Sequence, residues 1–122
     1  MDTIDFEEFK KVEIRMGKVV ECEKVEGADK LLKLQVDFGP AKQDSTPEKR
    51  SDERMIRQII SGIAQSYKPE EMIGKTLPFI VNLEYRRFRG VESQGMLIAV
   101  DAGEKTVLLE PNAELEPGAE VV

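Results

Sequence analysis

The sequence contains no histidine and only one cysteine, Cys22. A lone cysteine cannot form an intramolecular disulfide, and a chain without histidine lacks both the commonest zinc ligand and the usual general base at neutral pH. We therefore expect no metal site, no cofactor and no enzymatic activity. Cys22 shares its parity with the apolar residues Ile14 and Val20, so we expect its thiol to be buried and unreactive.

Long hydrophobic runs are also missing. No apolar stretch approaches the roughly 20 residues that a membrane-spanning helix needs, and the opening MDTIDFEEFKK lacks the basic-then-apolar order of a signal peptide. We expect a cytoplasmic protein without a membrane partner. Its 122 residues, 40% hydrophobic and 34% charged, suit a single globular domain spanning 1–122.

Basic residues are in the minority, with 18 Lys+Arg against 24 Asp+Glu and a net charge of -6. This balance disfavours a nucleic-acid partner, because phosphate binding depends on clustered positive charge. The charges are unevenly distributed, since residues 101–122 carry six acids and one base, whereas 82–100 carry three bases and two acids. A basic face on an otherwise acidic protein therefore stays open.

Period-two alternation is the main signal for secondary structure. Between 32 and 38, apolar residues at even positions alternate with polar ones, which predicts a half-buried strand. The segment from Val12 to Cys22 has the same periodicity and predicts the strand before it. Further strands are predicted at 55–63, 76–84, 95–100 and 106–110.

Two short helices are expected among these strands. Asp5 followed by Glu8 resembles a helix-capping pair and predicts a helix with Phe6 and Phe9 on one side. Such a short helix must pack against something. Pro69, at a position that a first helical turn tolerates, predicts a second short helix between the third and fourth strands.

This order of elements predicts a mainly β fold. Short alternating strands with one helix between the third and fourth fit a five-stranded OB-fold Greek-key barrel. A split βαβ sandwich is the alternative, although three strands before the first internal helix fit it less well. The stretch at 40–54 is almost free of apolar residues, so we expect an exposed, mobile inserted loop there.

The segment EYRRFRGVESQGM, residues 84–96, stands out against the acidic background because it holds Arg86, Arg87 and Arg89. It connects two predicted strands, and connecting segments at a barrel rim often carry binding residues. Arginine offers planar, permanently charged donors for phosphate, and Phe88 or Tyr85 offers a ring on which an unstacked base can lie. This chemistry favours RNA.

A structural interpretation of the same segment is also open. The arginines could pair with Glu84 and Glu92 in a solvated loop, with little energetic effect, while Phe88 covers the end of the barrel. The residue pattern alone leaves both interpretations standing.

Four sequence blocks in this order favour the RNA-binding interpretation: GADKLLKLQVDFG (27–39), IISGIAQSYKPEEMIGK (59–75), NLEYRRFRGVESQGMLIA (82–99) and ELEPGAEVV (114–122). They resemble the tRNA-binding OB domain found in methionyl-tRNA synthetases, as a C-terminal or beta-subunit type, in stand-alone tRNA-binding homodimers and in endothelial-monocyte-activating-polypeptide-type proteins. The resemblance runs from residue 5 to 122 and is interrupted at 40–54.

The resemblance implies a barrel that binds tRNA by shape, with little dependence on sequence, and that often dimerises. It places the RNA contact around Asn82, the three arginines, Ser93, Gly95 and Met96. Lys30 and Lys33 could extend the basic face, and Phe88 could pack against a base. The expected RNA-binding residues are therefore Asn82, Arg86, Arg87, Arg89, Ser93, Met96, Lys30, Lys33 and Phe88.

Three positions in this region have other interpretations. Met96 begins an apolar strand and suits the core better than a contact surface. Gly95 could serve a bulge. Tyr85 stands where the resembling family usually has proline, which frees the backbone and adds a ring able to stack.

Two functions compete. The first is a non-catalytic, largely structure-specific tRNA-binding protein, free-standing or acting in trans as an appendage of methionyl-tRNA synthetase. The second is a peptide-binding secretion chaperone like CsaA, with an apolar groove at a dimer interface. The resemblance also implies a homodimer, and the apolar ends support it, because Phe6, Phe9 and the closing segment 107–122 offer more apolar surface than a small barrel needs.

Overall fold

The computed structural model describes residues 1–40 and 54–122. The predicted inserted loop at 40–54 lies outside the described residues except at its two ends, Pro40 and Arg54, which pair across two strands. The elements follow in the order α1 (Phe6–Phe9), β1 (Ile14–Val25), β2 (Ala28–Pro40), β3 (Arg54–Ser61), α2 (Pro69–Met72), β4 (Thr76–Ile80), β5 (Arg86–Phe88), β6 (Val91–Ser93), β7 (Met96–Leu97), β8 (Ala99–Asp101) and β9 (Thr106–Leu108). Within the described ranges, no helix is long and apolar enough to span a bilayer.

Five strands form one curled antiparallel sheet in the order β3-β2-β1-β4-β7. β1 and β2 are long, with 12 and 13 residues, and pair with each other as a hairpin. Within the described residues, β5 pairs with β6 alone and β8 with β9 alone, as two separate hairpins. The strands and both helices that the sequence predicts are thus present, but the strand predicted at 76–84 ends at Ile80 and the one predicted at 95–100 is divided into β7 and β8. The hairpin β5–β6 is additional.

The core lies on the inner face of the curled sheet. Leu32, Leu34 and Val36 of β2 are fully buried, as their alternation predicts. Phe79 of β4 is also fully buried and meets Phe38 edge to face, with ring centroids 5.5 Å apart. Each such side chain contributes roughly 1.5–3 kcal/mol by leaving water, so β2 and β4 anchor the fold.

The parity predicted for β1 is wrong before a register shift, where Gly17 and Val19 face the core in place of Met16 and Val20. Val20 is exposed, whereas Val19 is fully buried. The register between β1 and β2 shifts between Val19 and Glu21, and a β-bulge of this kind lets one strand carry an extra residue. Beyond the shift Cys22 faces inward again and packs against the core.

The two helices differ in how they attach. The carboxylate of Asp5 caps α1 by accepting a hydrogen bond from the Glu8 N–H at 2.8 Å, as predicted. Yet α1 buries none of its residues, and Phe6 and Phe9 are 69% and 45% exposed. The packing partner expected for α1 is therefore absent from the described part of this chain.

Helix α2 instead belongs to the core. It begins with Pro69, as predicted, and the Glu71 carboxylate accepts a hydrogen bond from the Lys68 N–H at 2.9 Å. Met72 is fully buried among the core residues. After the helix, the Gly74 N–H donates to the Val19 carbonyl at 2.8 Å, which fastens this connection to β1.

The sheet closes where β3 meets the segment between β6 and β7. The Gln94 N–H donates to the Gln58 carbonyl at 2.7 Å, and the Gln58 N–H donates to the Gln94 side-chain oxygen at 3.0 Å. A helix between β3 and β4, in an antiparallel sheet closed this way, confirms the OB-type barrel prediction. The split βαβ alternative is wrong, because its helix connects two parallel strands that have one strand between them, whereas β3 and β4 have two strands between them and run in opposite directions.

Candidate nucleic-acid interface

The basic segment folds as a hairpin rather than as an open loop. β5 carries Arg86 and Arg87, β6 runs from Val91 to Ser93, and the turn between them consists of Arg89 and Gly90. Both turn residues have positive φ, 54° for Arg89 and 78° for Gly90. Two central residues in this conformation are typical of a type I′ turn, whose twist matches that of paired strands. The turn places Arg89 at the tip.

One face of this basic hairpin (Arg86–Ser93) is docked on the barrel. Phe88 and Val91 pack against a small cluster formed by Val25, Ala28 and Ile60, which lies apart from the main core. Phe88 therefore does cover part of the barrel, as the structural interpretation expected. The same contact holds the hairpin in place beneath its arginines.

The three guanidinium groups are presented in different directions. Successive side chains of a strand alternate between faces, so Arg86 shares the docked face with Phe88, while Arg87 points away from it. The Arg86 guanidinium lies 5.0 Å from the Phe88 ring centroid, a cation–π geometry that restrains it. The Arg87 guanidinium donates a long hydrogen bond of 3.4 Å to the Gly90 carbonyl.

The positive charge of the hairpin is not neutralised locally. Among residues 1–40 and 54–122, the ion pairs within 4.0 Å involve other cations, and Arg86, Arg87 and Arg89 take part in none of them. The pairing with Glu84 and Glu92 that the structural interpretation expected is therefore not formed. The Glu92 carboxylate instead accepts a hydrogen bond from the Gln94 side chain at 3.2 Å.

The two lysines expected to extend the basic face differ from each other. Lys33 forms an ion pair with Glu23 of the neighbouring strand, with 2.6 Å between nitrogen and oxygen, and its side chain is only 30% exposed. Its charge is largely cancelled where it lies. Lys30, near the start of β2, is exposed to solvent.

Asn82 is exposed but its amide is already engaged. Its side-chain oxygen accepts a hydrogen bond from the Glu13 N–H at 2.8 Å, and its side-chain nitrogen donates to the Lys11 carbonyl at 2.5 Å. Asn82 therefore ties the end of β4 to the segment between α1 and β1. A contact between this amide and RNA would have to replace or share these bonds.

Ser93 lies at the seam of the barrel, which is the junction where β3 meets the segment between β6 and β7. Only 3% of its surface is exposed. Its hydroxyl accepts a hydrogen bond from the Ile60 N–H at 2.9 Å and donates to the Gly95 carbonyl, also at 2.9 Å. In this arrangement Ser93 secures β6 against β3. A direct RNA contact, which the sequence predicts, would require the hydroxyl to leave these partners.

Gly95 and Met96 follow directly and have distinct roles. A Cβ atom at Gly95 would lie 2.8 Å from the Ile80 carbonyl oxygen and 2.8 Å from the Ile59 side chain, so a larger residue would separate the strands. The interpretation of Met96 as a core residue is wrong. It is 44% exposed, because the next residue, Leu97, takes the inward position of β7.

Two side chains that the sequence analysis did not select hold the seam together. Arg57 of β3 donates through one nitrogen to the carbonyls of Val81, at 2.5 Å, and Gln94, at 3.3 Å. The Gln58 side chain donates to the Glu92 carbonyl at 2.8 Å. A signal for Arg57 was available, since it has the parity of the buried Ile59 on the same strand.

Cys22 is half-buried rather than fully buried. Burial, reinforced by the nearby carboxylates of Glu23 and Glu70, raises the pKa of its thiol to about 11. The reactive thiolate is therefore scarce at neutral pH. This agrees with the expectation that the thiol is unreactive.

The chain matches the family model described as "Putative tRNA binding domain" over residues 14–120. The chain belongs to this tRNA-binding domain family. It is 41% identical to a methionine–tRNA ligase of Pyrococcus furiosus over 121 residues, which is 99% of this chain and 15% of that protein. This chain thus corresponds to about one sixth of the length of the curated relatives it matches.

Two solved structures have the same fold over their whole length. A MetRS-related protein from Pyrococcus horikoshii is 39% identical, with a TM-score of 0.83 and full coverage of both chains. The chaperone CsaA from Bacillus anthracis is 25% identical, with a TM-score of 0.78, covering 99% of this chain and 100% of that one. The protein is a tRNA-binding domain, similar to a segment of methionyl-tRNA synthetases.

Proposed function

We propose that the protein holds folded tRNA on the basic hairpin and does so without catalysis. The observation that carries this proposal is the set of three exposed arginines on a docked hairpin, with no carboxylate within ion-pair distance among the described residues. Permanently charged, planar guanidinium groups suit phosphate oxygens. The tRNA-binding family and the synthetase relatives supply the substrate class.

The proposed mechanism begins with electrostatic capture. The chain is negative overall, but a polyanion responds to the local field of the face that it approaches. Arg87 and Arg89 meet phosphates, and Arg86, restrained over Phe88, adds a third contact. Tyr85, 54% exposed next to the hairpin, offers a ring for an unstacked base. Recognition then rests on the shape of the tRNA more than on its sequence.

The deciding experiment removes the hairpin charges together. In the variant with Arg86→Ala, Arg87→Ala and Arg89→Ala, we expect the affinity for bulk tRNA to fall at least tenfold. We also expect the slope of log affinity against log salt to flatten by roughly two to three, because each lost phosphate contact releases about one counterion fewer. Fluorescence titration across a salt series measures both quantities.

The matched control removes the same charge elsewhere. Lys10, Lys18 and Lys105 are all exposed and lie outside the hairpin, so their joint replacement by alanine should change tRNA affinity much less. Equal losses in the two variants would mean that only net charge matters, and the proposed site would be rejected. An unchanged affinity in the arginine variant would reject it as well.

We further propose that the protein acts next to an aminoacyl-tRNA synthetase in the cytoplasm, as an appendage or in trans. This proposal is supported by the sequence similarity to methionine–tRNA ligases, which extends along nearly all of this chain. Binding the same tRNA twice raises the effective concentration of tRNA at the synthetase. The protein should therefore lower the KM for tRNA of a methionyl-tRNA synthetase that lacks such a domain, and the arginine variant should not.

Dimerisation is part of the proposal. Phe6, Phe9, Leu109, Leu115 and Val121 are each between 39% and 69% exposed, and packing against a second copy would remove these apolar side chains from water. A second copy would also give α1 the packing that it lacks among residues 1–40 and 54–122 of its own chain. Light scattering that finds only monomer at micromolar concentration would contradict this part.

Peptide binding is the competing function, favoured by the same exposed apolar side chains and by the likeness to CsaA. The lower identity to CsaA than to the methionine–tRNA ligases favours tRNA. Titration of the protein with bulk tRNA and with a reduced, unfolded polypeptide separates the two. Saturable binding of the polypeptide, with no binding of tRNA, would make the chaperone function the better description.

A further inference from the structure

The side chain of Arg57 extends from β3 to the backbone of two other segments of the barrel. In the strand register Arg57 stands opposite Val36, a fully buried core residue, so both side chains lie on the inner face of the sheet. From β3 the guanidinium extends to two backbone carbonyls, those of Val81 at 2.5 Å and Gln94 at 3.3 Å. A guanidinium whose polar contacts are main-chain oxygens fixes backbone geometry.

The positions of those two carbonyls are informative. Val81 directly follows β4, where the chain leaves the main sheet, and Gln94 lies just before β7, where the chain returns to it. The excursion between them, residues 82–93, carries the whole basic hairpin. One guanidinium therefore holds both ends of the segment that presents the arginines.

The other side-chain hydrogen bonds at this segment, within the described residues, each hold one of its ends. Gln58 and Ser93 fasten the returning end to β3, and Asn82 fastens the leaving end to the segment before β1. In the portions 1–40 and 54–122, Arg57 is the side chain with hydrogen bonds to both ends. The backbone pairing of Ile80 with Met96 also joins β4 to β7 beside these ends, so loss of Arg57 would remove the side-chain link and leave that pairing in place.

We propose that Arg57 is a positioning residue for tRNA binding, which clamps the neck of the basic hairpin so that Arg86, Arg87 and Arg89 are presented in a fixed arrangement. This rests on the proposed function of the hairpin. Ordering a mobile segment at the moment of binding costs free energy, and a segment ordered beforehand avoids that cost. Arg57 contributes through hairpin geometry and touches no phosphate.

The test replaces Arg57 by methionine in the full chain, which keeps the length and apolar stem of the side chain and removes both hydrogen bonds. We expect faster deuterium uptake in residues 82–93 with unchanged uptake in β1 and β2. We also expect tRNA affinity to fall roughly 3- to 10-fold, the loss that corresponds to ordering one or a few groups on binding. Arg54→Met on the same strand is the matched control, because it removes an equal charge from a surface ion pair with Asp37.

A second measurement separates positioning from direct contact. In the background lacking Arg86, Arg87 and Arg89, Arg57→Met should cause no further loss of tRNA affinity beyond that of Arg54→Met. An equal loss in both backgrounds would show a direct contact and overturn the inference. Unchanged deuterium uptake in 82–93 would overturn it too.

Two outcomes remain to be distinguished. If the methionine variant does not fold, Arg57→Lys keeps the charge but replaces the planar fork by a single nitrogen, and faster uptake in 82–93 is again required. Failure of the wild-type protein to bind tRNA would defeat the proposed function. Failure of the hairpin to loosen in the Arg57 variants would defeat the role of Arg57 alone.

Discussion

The β1–β2 hairpin and the β5–β6 hairpin share a topology but differ in length, burial and charge. β1 and β2 are 12 and 13 residues long, and β2 alone places Leu32, Leu34 and Val36 fully inside the core. β5 and β6 have three residues each, and β5 carries the exposed Arg86 and Arg87. The first hairpin is stabilised mainly by burial, the second mainly by docking and by hydrogen bonds to β3.

The two hairpins also differ in whether their basic side chains form ion pairs. On the long hairpin Lys33 is paired with Glu23 across the strands. On the short hairpin the arginines have no such partner among the described residues, although acids are abundant in the chain. Paired surface charges change stability little, and unpaired charges of one sign are available to a ligand. Stability and binding should therefore be separable by mutation.

The largest expected effect tests the long hairpin. Leu34→Ala removes a fully buried side chain and should lower the free energy of unfolding by roughly 2–5 kcal/mol, the usual cost of a core cavity. Chemical denaturation measures this loss. Titration of the folded variant at low temperature should give the tRNA affinity of the wild type, since the arginines are untouched. Val20→Ala is the control on the same hairpin, and its exposed position predicts a change within about 0.5 kcal/mol.

An intermediate effect is expected at the seam between the two regions. Ser93→Ala leaves the Ile60 N–H without its partner in a buried site and should cost roughly 1–3 kcal/mol. Ser66→Ala removes a similar bond to the Thr106 N–H in a less buried place and should cost less. If Ser93→Ala were no more destabilising than Ser66→Ala, the seam would not depend on that hydroxyl.

The long hairpin was largely predictable from the sequence and the seam was not. Alternation specifies which face of a strand is buried, so Leu32, Leu34 and Val36 could be assigned directly. The exposure of Val20 could not, because it follows from a register shift against a partner strand. Register is a property of two segments together, and the sequence of one strand does not contain it.

The sequence predicted which side chains the candidate site contains, but it did not predict the backbone and side-chain contacts that hold them in place. The arginines and Phe88 were recognisable because they break the pattern of an acidic chain. Their arrangement as a hairpin was not, since Arg89-Gly90 lacks the asparagine or aspartate that usually signals a type I′ turn. The clamp by Arg57 depends on carbonyls 24 and 37 residues away in the chain, and side-chain identity does not predict which backbone oxygens will come within reach.

The smallest expected effect on stability tests the tip of the short hairpin. Arg89 has a φ of 54°, which costs most side chains of this type roughly 1 kcal/mol, whereas asparagine adopts it readily. Arg89→Asn should therefore raise the free energy of unfolding by up to about 1 kcal/mol while weakening tRNA binding and flattening its salt slope by about one. Lys105→Asn, in the β8–β9 turn, removes the same charge and should do neither. If the Arg89→Asn variant is more stable and binds tRNA as tightly as the wild type, Arg89 contributes neither to stability nor to tRNA binding. The binding surface would then have to lie on the sides of the hairpin.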